Sequence, residues 1–298
     1  MAFLLLSGAV MVFVRSHHQP LTGGIGMTDE SNDANGVARR AVLRRSAGIA
    51  AAGAVSAFSA AASSAAHASV TRSVPSGNAS SPSVGALPSV VAGVHIPNSR
   101  LAREAAVFAR QAYSETLFNH VMRTYVFGSL VFDRRGVRYD RELVFVAAVL
   151  HDLGLVESFQ TPAERFEVDG ADAARRFLRE RRVPTERAEL VWDAIALHTS
   201  IGIATRKRPE IALISVGSGM DFTGNDLRQL PSGALEEVLA AFPRKEFKQN
   251  ALDAMISLCR TKPLGELMHP FAEVGRRHIP NFSVPTVEDL LLAAPFKE

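Results

Sequence analysis

Residues 147–154 read Ala-Ala-Val-Leu-His-Asp-Leu-Gly, an apolar run that stops at adjacent His and Asp residues. The run is typical of a buried helix, and Gly154 follows where such a helix would end. Neighbouring side chains on a helix point about 100° apart. His151 and Asp152 can therefore turn toward one ion only from a helix end or a tight inner corner, and a His-Asp pair alone is weak evidence for a site.

Two other segments supply further polar residues at helical positions. Helical periodicity runs from residue 103 to about residue 132 and places His120 on one seam of that helix. A later predicted helix carries Asp221 on a packed face, and its Gly217 and Gly219 would let another backbone approach closely. A buried carboxylate is costly without a partner, so Asp221 is expected to contact either a metal ion or an arginine.

A His, a His-Asp pair and a later Asp, all in helical segments, resemble the HD superfamily of metal-dependent hydrolases. Residues 166–171 (Phe-Glu-Val-Asp-Gly-Ala) and 192–200 (Trp-Asp-Ala-Ile-Ala-Leu-His-Thr-Ser) are similar to the branch that includes the cyanamide hydratases. The resemblance covers roughly residues 96–262. It implies an all-α, HD-domain helical bundle, placed here at residues 99–298, and one divalent ion bound by His120, His151, Asp152 and Asp221.

Such a ligand set favours Zn or Fe(II), with Mn next, because it mixes imidazole nitrogen with carboxylate oxygen. A bound ion would lower the pKa of water and make it a nucleophile near neutral pH. The resembling segments add three residues predicted to be catalytic: His198, Glu167 and Asp169. The alternative roles are a core histidine, a surface carboxylate and a helix cap, respectively. Flanking the first ligand, Asn119 and Arg123 are predicted to contact substrate.

The predicted reaction is hydration or hydrolysis of a small molecule, such as a nitrile like cyanamide. A phosphohydrolase usually clamps phosphate with Lys or Arg, and the motif segments contain no Lys; Arg123 and Arg165 are the nearest basic residues. A metal-dependent phosphohydrolase remains the alternative enzyme. A non-catalytic helical binding or sensor module is the alternative from another class. The sequence leaves the number of subunits open.

Charge argues against a nucleic-acid partner despite a sequence pI near 9.3. Residues 1–68 hold five Arg and three acidic residues, which leaves 28 basic and 27 acidic residues in the remainder. This near balance predicts no concentrated phosphate-binding surface. Cys259 is the only cysteine, which excludes an internal disulfide and a cysteine-rich zinc site.

The first 68 residues resemble a twin-arginine export signal. Arg39-Arg40 and Arg44-Arg45 precede a weakly apolar run that ends at Ala66-His67-Ala68, a small-x-small cleavage pattern. The position of the arginines favours Met27 over Met1 as the start. We therefore expect export by the twin-arginine machinery, to the periplasm or beyond; a cytoplasmic protein with a basic, Ala-rich tail is the alternative. The apolar stretch at residues 2–14 is too short to predict stable membrane insertion, and residues 69–98 are predicted to be a disordered linker.

Overall fold

The computed structural model describes residues 87–296, and within that range the chain forms ten α-helices and one two-stranded hairpin. The hairpin is β1 (Val90–Val91) and β2 (Val94–His95). The helices are α1 (Arg100–Ala112), α2 (Glu115–Arg134), α3 (Arg141–Leu150), α4 (Phe166–Glu180), α5 (Thr185–Ala196), α6 (Pro209–Thr223), α7 (Ala234–Ala241), α8 (Phe247–Thr261), α9 (Ala272–His278) and α10 (Val287–Leu292). The predicted all-α class is confirmed for this part of the chain.

Short polar residues set where the first helices begin. The side-chain oxygens of Ser99, Ser114 and Asp140 accept hydrogen bonds from backbone N–H groups in the first turns of α1, α2 and α3. The helix predicted across residues 103–132 is in fact two helices. Tyr113 is extended (φ −99°, ψ 153°), and Ser114 then caps the start of α2.

Helices α2 and α3 form the centre of the bundle. Every residue from Phe118 to Phe132 of α2 and from Leu143 to Leu150 of α3 is buried. Helix α6 packs along α2, while α1 and α5 pack against α3. His120 lies in α2, and His151 and Asp152 directly follow the last residue of α3, so these side chains extend from the buried centre of the bundle. No helix within residues 87–296 combines the length and hydropathy needed to cross a bilayer.

The hairpin lies within the C-terminal end of the segment that was predicted to be a disordered linker. Residues 90–95 pair as antiparallel strands, and Val91, Val94 and Ile96 are buried in the core. Ala92 (φ 48°) and Gly93 (φ 79°) form a two-residue turn in the left-handed region, which suits a tight hairpin. The linker prediction is therefore wrong for this stretch, because four apolar residues around a Gly outweigh its Ser and Pro content. The predicted export signal and the linker up to residue 86 lie outside the described residues.

Gly217 brings α2 and α6 into direct backbone contact, and it supplies a testable contrast with Gly219. A Cβ at Gly217 would lie 2.1 Å from the Thr124 carbonyl oxygen, whereas a Cβ at Gly219 would meet nothing within 4 Å. The predicted close approach is thus confirmed for Gly217 and wrong for Gly219. We expect Gly217→Ala to lower the free energy of unfolding by about 1–3 kcal/mol through overpacking.

Gly219→Ala is the matched control on the same helix. It should be neutral or stabilising by up to ~1 kcal/mol, because Gly within a helix costs conformational entropy relative to Ala. Urea unfolding of both variants measures the contrast. Equal stability of the two variants would contradict the close packing of α6 on α2.

Candidate metal centre

His151 and Asp152 lie where α3 ends, which lets two neighbouring side chains face one point. Helix α3 ends at Leu150, His151 keeps helical dihedrals, and Asp152 leaves them (φ −101°, ψ 15°). A Cβ on Gly154 would lie 1.9 Å from the Phe166 carbonyl oxygen, so only glycine allows the start of α4 to cross here. The motif thereby determines the orientation of the His151 and Asp152 side chains and the position of α4, which passes beside them.

His120 of α2 completes a three-residue cluster with His151 and Asp152. Its Nε2 lies 3.4 Å from Asp152 Oδ2, and His151 Nε2 lies 3.3 Å from Asp152 Oδ1. One potential ligand atom from each residue lies within 4.8 Å of the others, and all three residues are buried. The structure therefore brings three of the four predicted ligands within reach of one ion.

The hydrogen bonds of the imidazoles fix which nitrogen faces the cluster. His151 Nδ1 donates to the Ala148 carbonyl and His198 Nδ1 donates to the Ile195 carbonyl, both at 2.7 Å. In each neutral ring the proton is thus on Nδ1, and Nε2 carries a lone pair. His198 Nε2 lies 3.9 Å from Asp152 Oδ1, slightly farther than the cluster nitrogens. Lone pairs of two rings and a carboxylate therefore face each other, an arrangement that a cation stabilises.

Burial keeps these two rings neutral. Burial, reinforced by the charge of His120, lowers the pKa of His151 to about 3. Burial, reinforced by the repulsion that the protonated rings of His198 and His151 would exert on each other, lowers the pKa of His198 to about 4. Burial likewise raises the pKa of Asp152. Neutral imidazole is the form that binds metal, so at neutral pH neither His151 nor His198 has to lose a proton first.

His151 Nε2 provides the clearest test of whether a metal fits these residues. This nitrogen is buried and has no hydrogen-bond partner among the described residues. A buried unpartnered polar atom costs about 1–3 kcal/mol, and native proteins rarely tolerate one without a reason. A divalent ion bound by His120, His151 and Asp152 would remove that cost. The donor set of two nitrogens and one oxygen suits Zn, Fe(II) or Mn.

Asp221 lies on the far side of His120, where arginines surround its carboxylate. His120 Nδ1 is 2.6 Å from Asp221 Oδ2. Arg123 donates from Nε to Oδ1 at 2.7 Å and from Nη2 to Oδ2 at 2.8 Å, and Arg244 donates to Oδ1 at 2.6 Å. Burial alone would raise the pKa of Asp221, but the hydrogen bonds from His120 and Arg123 hold it well below its usual range. Through these contacts Asp221 orients His120 and neutralises the positive charge of the arginines. An arginine was one of the two partners expected for Asp221 from the sequence, the other being a metal ion.

Glu167 belongs to a buried network that reaches into the C-terminal part of the chain. Its carboxylate accepts from Arg165 at 2.6 Å, from Thr199, and from His269 Nε2 at 3.0 Å. His269 Nδ1 in turn donates to Glu266 at 2.8 Å. Burial opposes ionisation of Glu167, but the hydrogen bonds from His269 and Arg165 lower its pKa overall. The contact of His269 with Glu167 could not be predicted from the sequence, because His269 lies outside the segments that resemble the HD superfamily.

The remaining predicted site residues also have partners away from the cluster. Asp169 is not a helix cap: α4 begins at Phe166, and the buried Asp169 carboxylate pairs with Lys262 and accepts from Thr161. Asn119 donates to the Pro243 carbonyl at 3.0 Å, and Arg123 donates to the Phe242 carbonyl at 3.0 Å. These contacts hold neighbouring segments together.

A cavity of about 420 Å³ borders the cluster. His120, His151, Asp152 and His198 line it, together with His269 and mostly apolar side chains. The other predicted site residues are absent from the lining: Asn119, Arg123, Glu167, Asp169 and Asp221. Within the described residues, no Lys or Arg side chain borders this cavity.

The lowered pKa values predict an acid-sensitive fold in the metal-stripped protein. His151 (about 3) and His198 (about 4) resist protonation when folded, whereas the unfolded chain takes up these protons near pH 6.5. Their contribution is complete above that pH and is lost as the pH falls, at up to about 1.4 kcal/mol per pH unit for each histidine. Urea unfolding with chelator present, from pH 7 to pH 5, should show this slope. His198→Ala should make it shallower, and an unchanged slope would contradict the assignment.

Residues 117–234 match the family model described as HD domain. No curated protein sequence matches the chain. The matched segment runs from α2 past α6 and contains His120, the His151-Asp152 pair and Asp221. HD domains are in general metal-dependent hydrolases, and the buried His-His-Asp cluster is a possible site for their divalent ion. This match and that cluster support assigning residues 117–234 to the HD superfamily.

Proposed function

We propose that the protein is a metal-dependent hydratase or hydrolase that adds water to an uncharged small molecule, with nitriles such as cyanamide as the first class to test. The main support for this proposal is the cavity. The His-His-Asp cluster borders it, and no Lys or Arg side chain from the described residues lines it. A phosphate dianion would meet no arginine or lysine there. An uncharged molecule needs none.

Charges around the cluster support water activation. Asp221 is compensated by Arg123 and Arg244, so Asp152 alone offsets an ion bound at the cluster. One unit of positive charge would then remain uncompensated in a buried site. A divalent ion held by His120, His151 and Asp152 would lower the pKa of water toward ~7.

His198 is the proposed proton-transfer residue. Its Nδ1–H is held by the Ile195 carbonyl, and its neutral Nε2 lines the cavity beside Asp152. That nitrogen can accept a proton from water and return it to the nitrogen or oxygen of the substrate that gains negative charge. Glu167 and Asp169 are proposed as positioning residues, since their carboxylates hold other segments and do not line the cavity.

The reaction class is tested with the purified full chain after metal analysis. Cyanamide, simple nitriles, an amide, an ester and phosphate esters are assayed with the bound metal and after chelation. Turnover of an uncharged substrate that is lost on chelation and restored by metal supports the proposal. Phosphate release without turnover of uncharged substrates would identify the phosphohydrolase alternative. A metal-free and inactive protein would favour a binding or sensor module.

Replacing His198 by alanine should lower kcat/KM about 10²–10⁴-fold, the usual range for loss of a general acid or base, with metal content unchanged. Metal content and turnover are measured on the same preparation. His278→Ala, at an exposed histidine of α9, is the control and should change neither. Unchanged turnover would limit His198 to packing against Phe166, with ring centroids 5.6 Å apart. Loss of metal would make His198 a ligand.

A further inference from the structure

We propose that the substrate carries an apolar body of about aromatic size on its uncharged reactive group, and that the C-terminal part of the chain selects it. The reaction itself rests on the proposed function, whereas the shape of the binding site does not. The cavity holds about 420 Å³, within the range that buries much of a drug-sized ligand. A molecule of three heavy atoms such as cyanamide would leave most of this apolar wall against water.

Several aromatic rings line the cavity. Phe247 stacks on His120 with ring centroids 4.7 Å apart and an interplanar angle of 22°. Phe166 and Phe271 lie nearly parallel, with centroids 5.3 Å apart and planes 9° apart. These three rings and Phe222 all border the cavity. Aromatic walls gain most from a ligand that brings its own apolar surface, since ring contacts add to simple burial.

Helix α8 contributes a wall of smaller residues. Ala251, Ala254 and Met255 line the cavity at positions i, i+3 and i+4, which lie on one face of a helix. Alanine at two of these positions leaves the space into which a ligand's apolar body fits. Helix α8 and the 269–271 segment both follow residue 234, the end of the HD domain match. The HD domain therefore supplies the metal cluster, and a segment beyond it supplies much of the surface that determines size.

Buried ion pairs hold this C-terminal wall against the HD domain. Glu167 binds His269 directly, and Asp169 pairs with Lys262, which is 1% exposed. Both acidic residues lie in the first turns of α4, next to Gly154 and the cluster. The wall is thus fixed relative to the metal cluster, as expected of a site that selects by shape.

The pairing of the nearby arginines and the apolar residues at the cavity mouth also favour an uncharged ligand with an apolar body. The arginines nearest the cluster are occupied elsewhere: Arg123 and Arg244 bind Asp221, and Arg165 binds Glu167. At the mouth, Ile201 is 82% exposed and Phe222 is 51% exposed, and both still line the cavity. Apolar surface therefore continues from the cluster to solvent, and a ligand with its polar group at the cluster would place its apolar body along this path.

The test compares two uncharged amides, benzamide and urea, by titration calorimetry on the metal-loaded full chain. They are the hydration products of a nitrile with an aromatic body and of cyanamide. We expect benzamide to bind at least about tenfold more tightly than urea, because only benzamide covers the apolar wall. Ala254→Trp fills the cavity and should reduce this ratio at least about fivefold without changing metal content. Ser257→Trp, at an exposed position of the same helix, is the matched control and should leave the ratio unchanged.

Equal affinity for the two amides, or a ratio that Ala254→Trp leaves unchanged, would overturn the proposal. Should Ala254→Trp fail to fold by circular dichroism, Phe271→Ala replaces it and is expected to weaken benzamide binding selectively. The outcome is separable from the proposed function. Selective benzamide binding without turnover of any uncharged substrate would reject the reaction and keep the site, whereas cyanamide turnover without benzamide selectivity would do the reverse.

Discussion

Replacing His151 by alanine is expected to abolish metal binding while leaving the helical content of the protein nearly intact. The buried Nε2 of His151 has no hydrogen-bond partner within the described residues, so a bound ion is the partner that would account for its position. His151 follows the last residue of α3, so its truncation leaves the hydrogen bonds of Arg141–Leu150 in place. Asp152→Ala should have the same effect, because it removes the one carboxylate of the His-His-Asp cluster.

Stability measured with and without metal separates a ligand from a packing residue. Metal stabilises the native protein by an amount that grows with ligand concentration relative to Kd, and this gain should vanish in His151→Ala. Without metal the variant should be about as stable as the native chain. It loses packing, but it also loses a buried unpartnered nitrogen that costs about 1–3 kcal/mol.

The measurements are elemental analysis and thermal unfolding in the presence of metal or chelator. His278→Ala, at an exposed histidine, should keep both the metal and the metal-dependent rise in Tm. Full metal occupancy in His151→Ala would disprove the assignment of His151 as a ligand. A large loss of stability in chelator would instead give His151 a structural role.

Local sequence predicted the helical positions of His120 and of the His151-Asp152 pair, whereas their role as metal ligands was implied by the HD resemblance. The apolar run, the His-Asp pair and Gly154 lie within eight residues, and the structure ends α3 at Leu150, just before the pair. His120 was placed on a packed seam by helical periodicity alone. These features depend on contacts between residues close in sequence or on one helical face, which single-sequence patterns represent well.

The partners of the acidic residues could not be predicted in the same way. Glu167 contacts His269 and Asp169 contacts Lys262, at separations of 102 and 93 residues. Nothing in a single sequence indicates which distant cation meets a given carboxylate. Arg123 carried a usable signal, because it lies three residues after His120 and so on the same face of α2. Both side chains could therefore reach one carboxylate, and both contact Asp221.

The export signal stays a prediction. Residues 1–68 lie outside the described part of the chain, so the twin-arginine pattern rests on the sequence alone. Folded export would be compatible with a domain that gains its metal during folding, because metal binding and folding are coupled.

Asp221→Ala is expected to destabilise even the metal-free protein, by about 3–5 kcal/mol, because it leaves a buried charge without its partner. Arg123 is fully buried, and its remaining acceptors would be the carbonyl groups of Phe242 and Pro243. Arg244 would lose the same carboxylate. Asp221→Asn keeps the shape and one oxygen acceptor but not the charge, so we expect a smaller loss of stability.

Metal affinity in Asp221→Ala distinguishes the two roles of this residue. If Asp221 orients His120 through Nδ1, affinity should fall about 10–100-fold and metal should still bind at high concentration, as for other residues that hold a ligand in place. If Asp221 is the fourth ligand that the HD resemblance implies, metal should be lost as completely as in His151→Ala. Chelator competition measures the affinity, and urea unfolding in chelator measures the stability. Asp253→Ala, at an exposed carboxylate of α8, is the control for both. Complete metal loss with unchanged metal-free stability would show that the arginines do not depend on Asp221, and would return it to the ligand set.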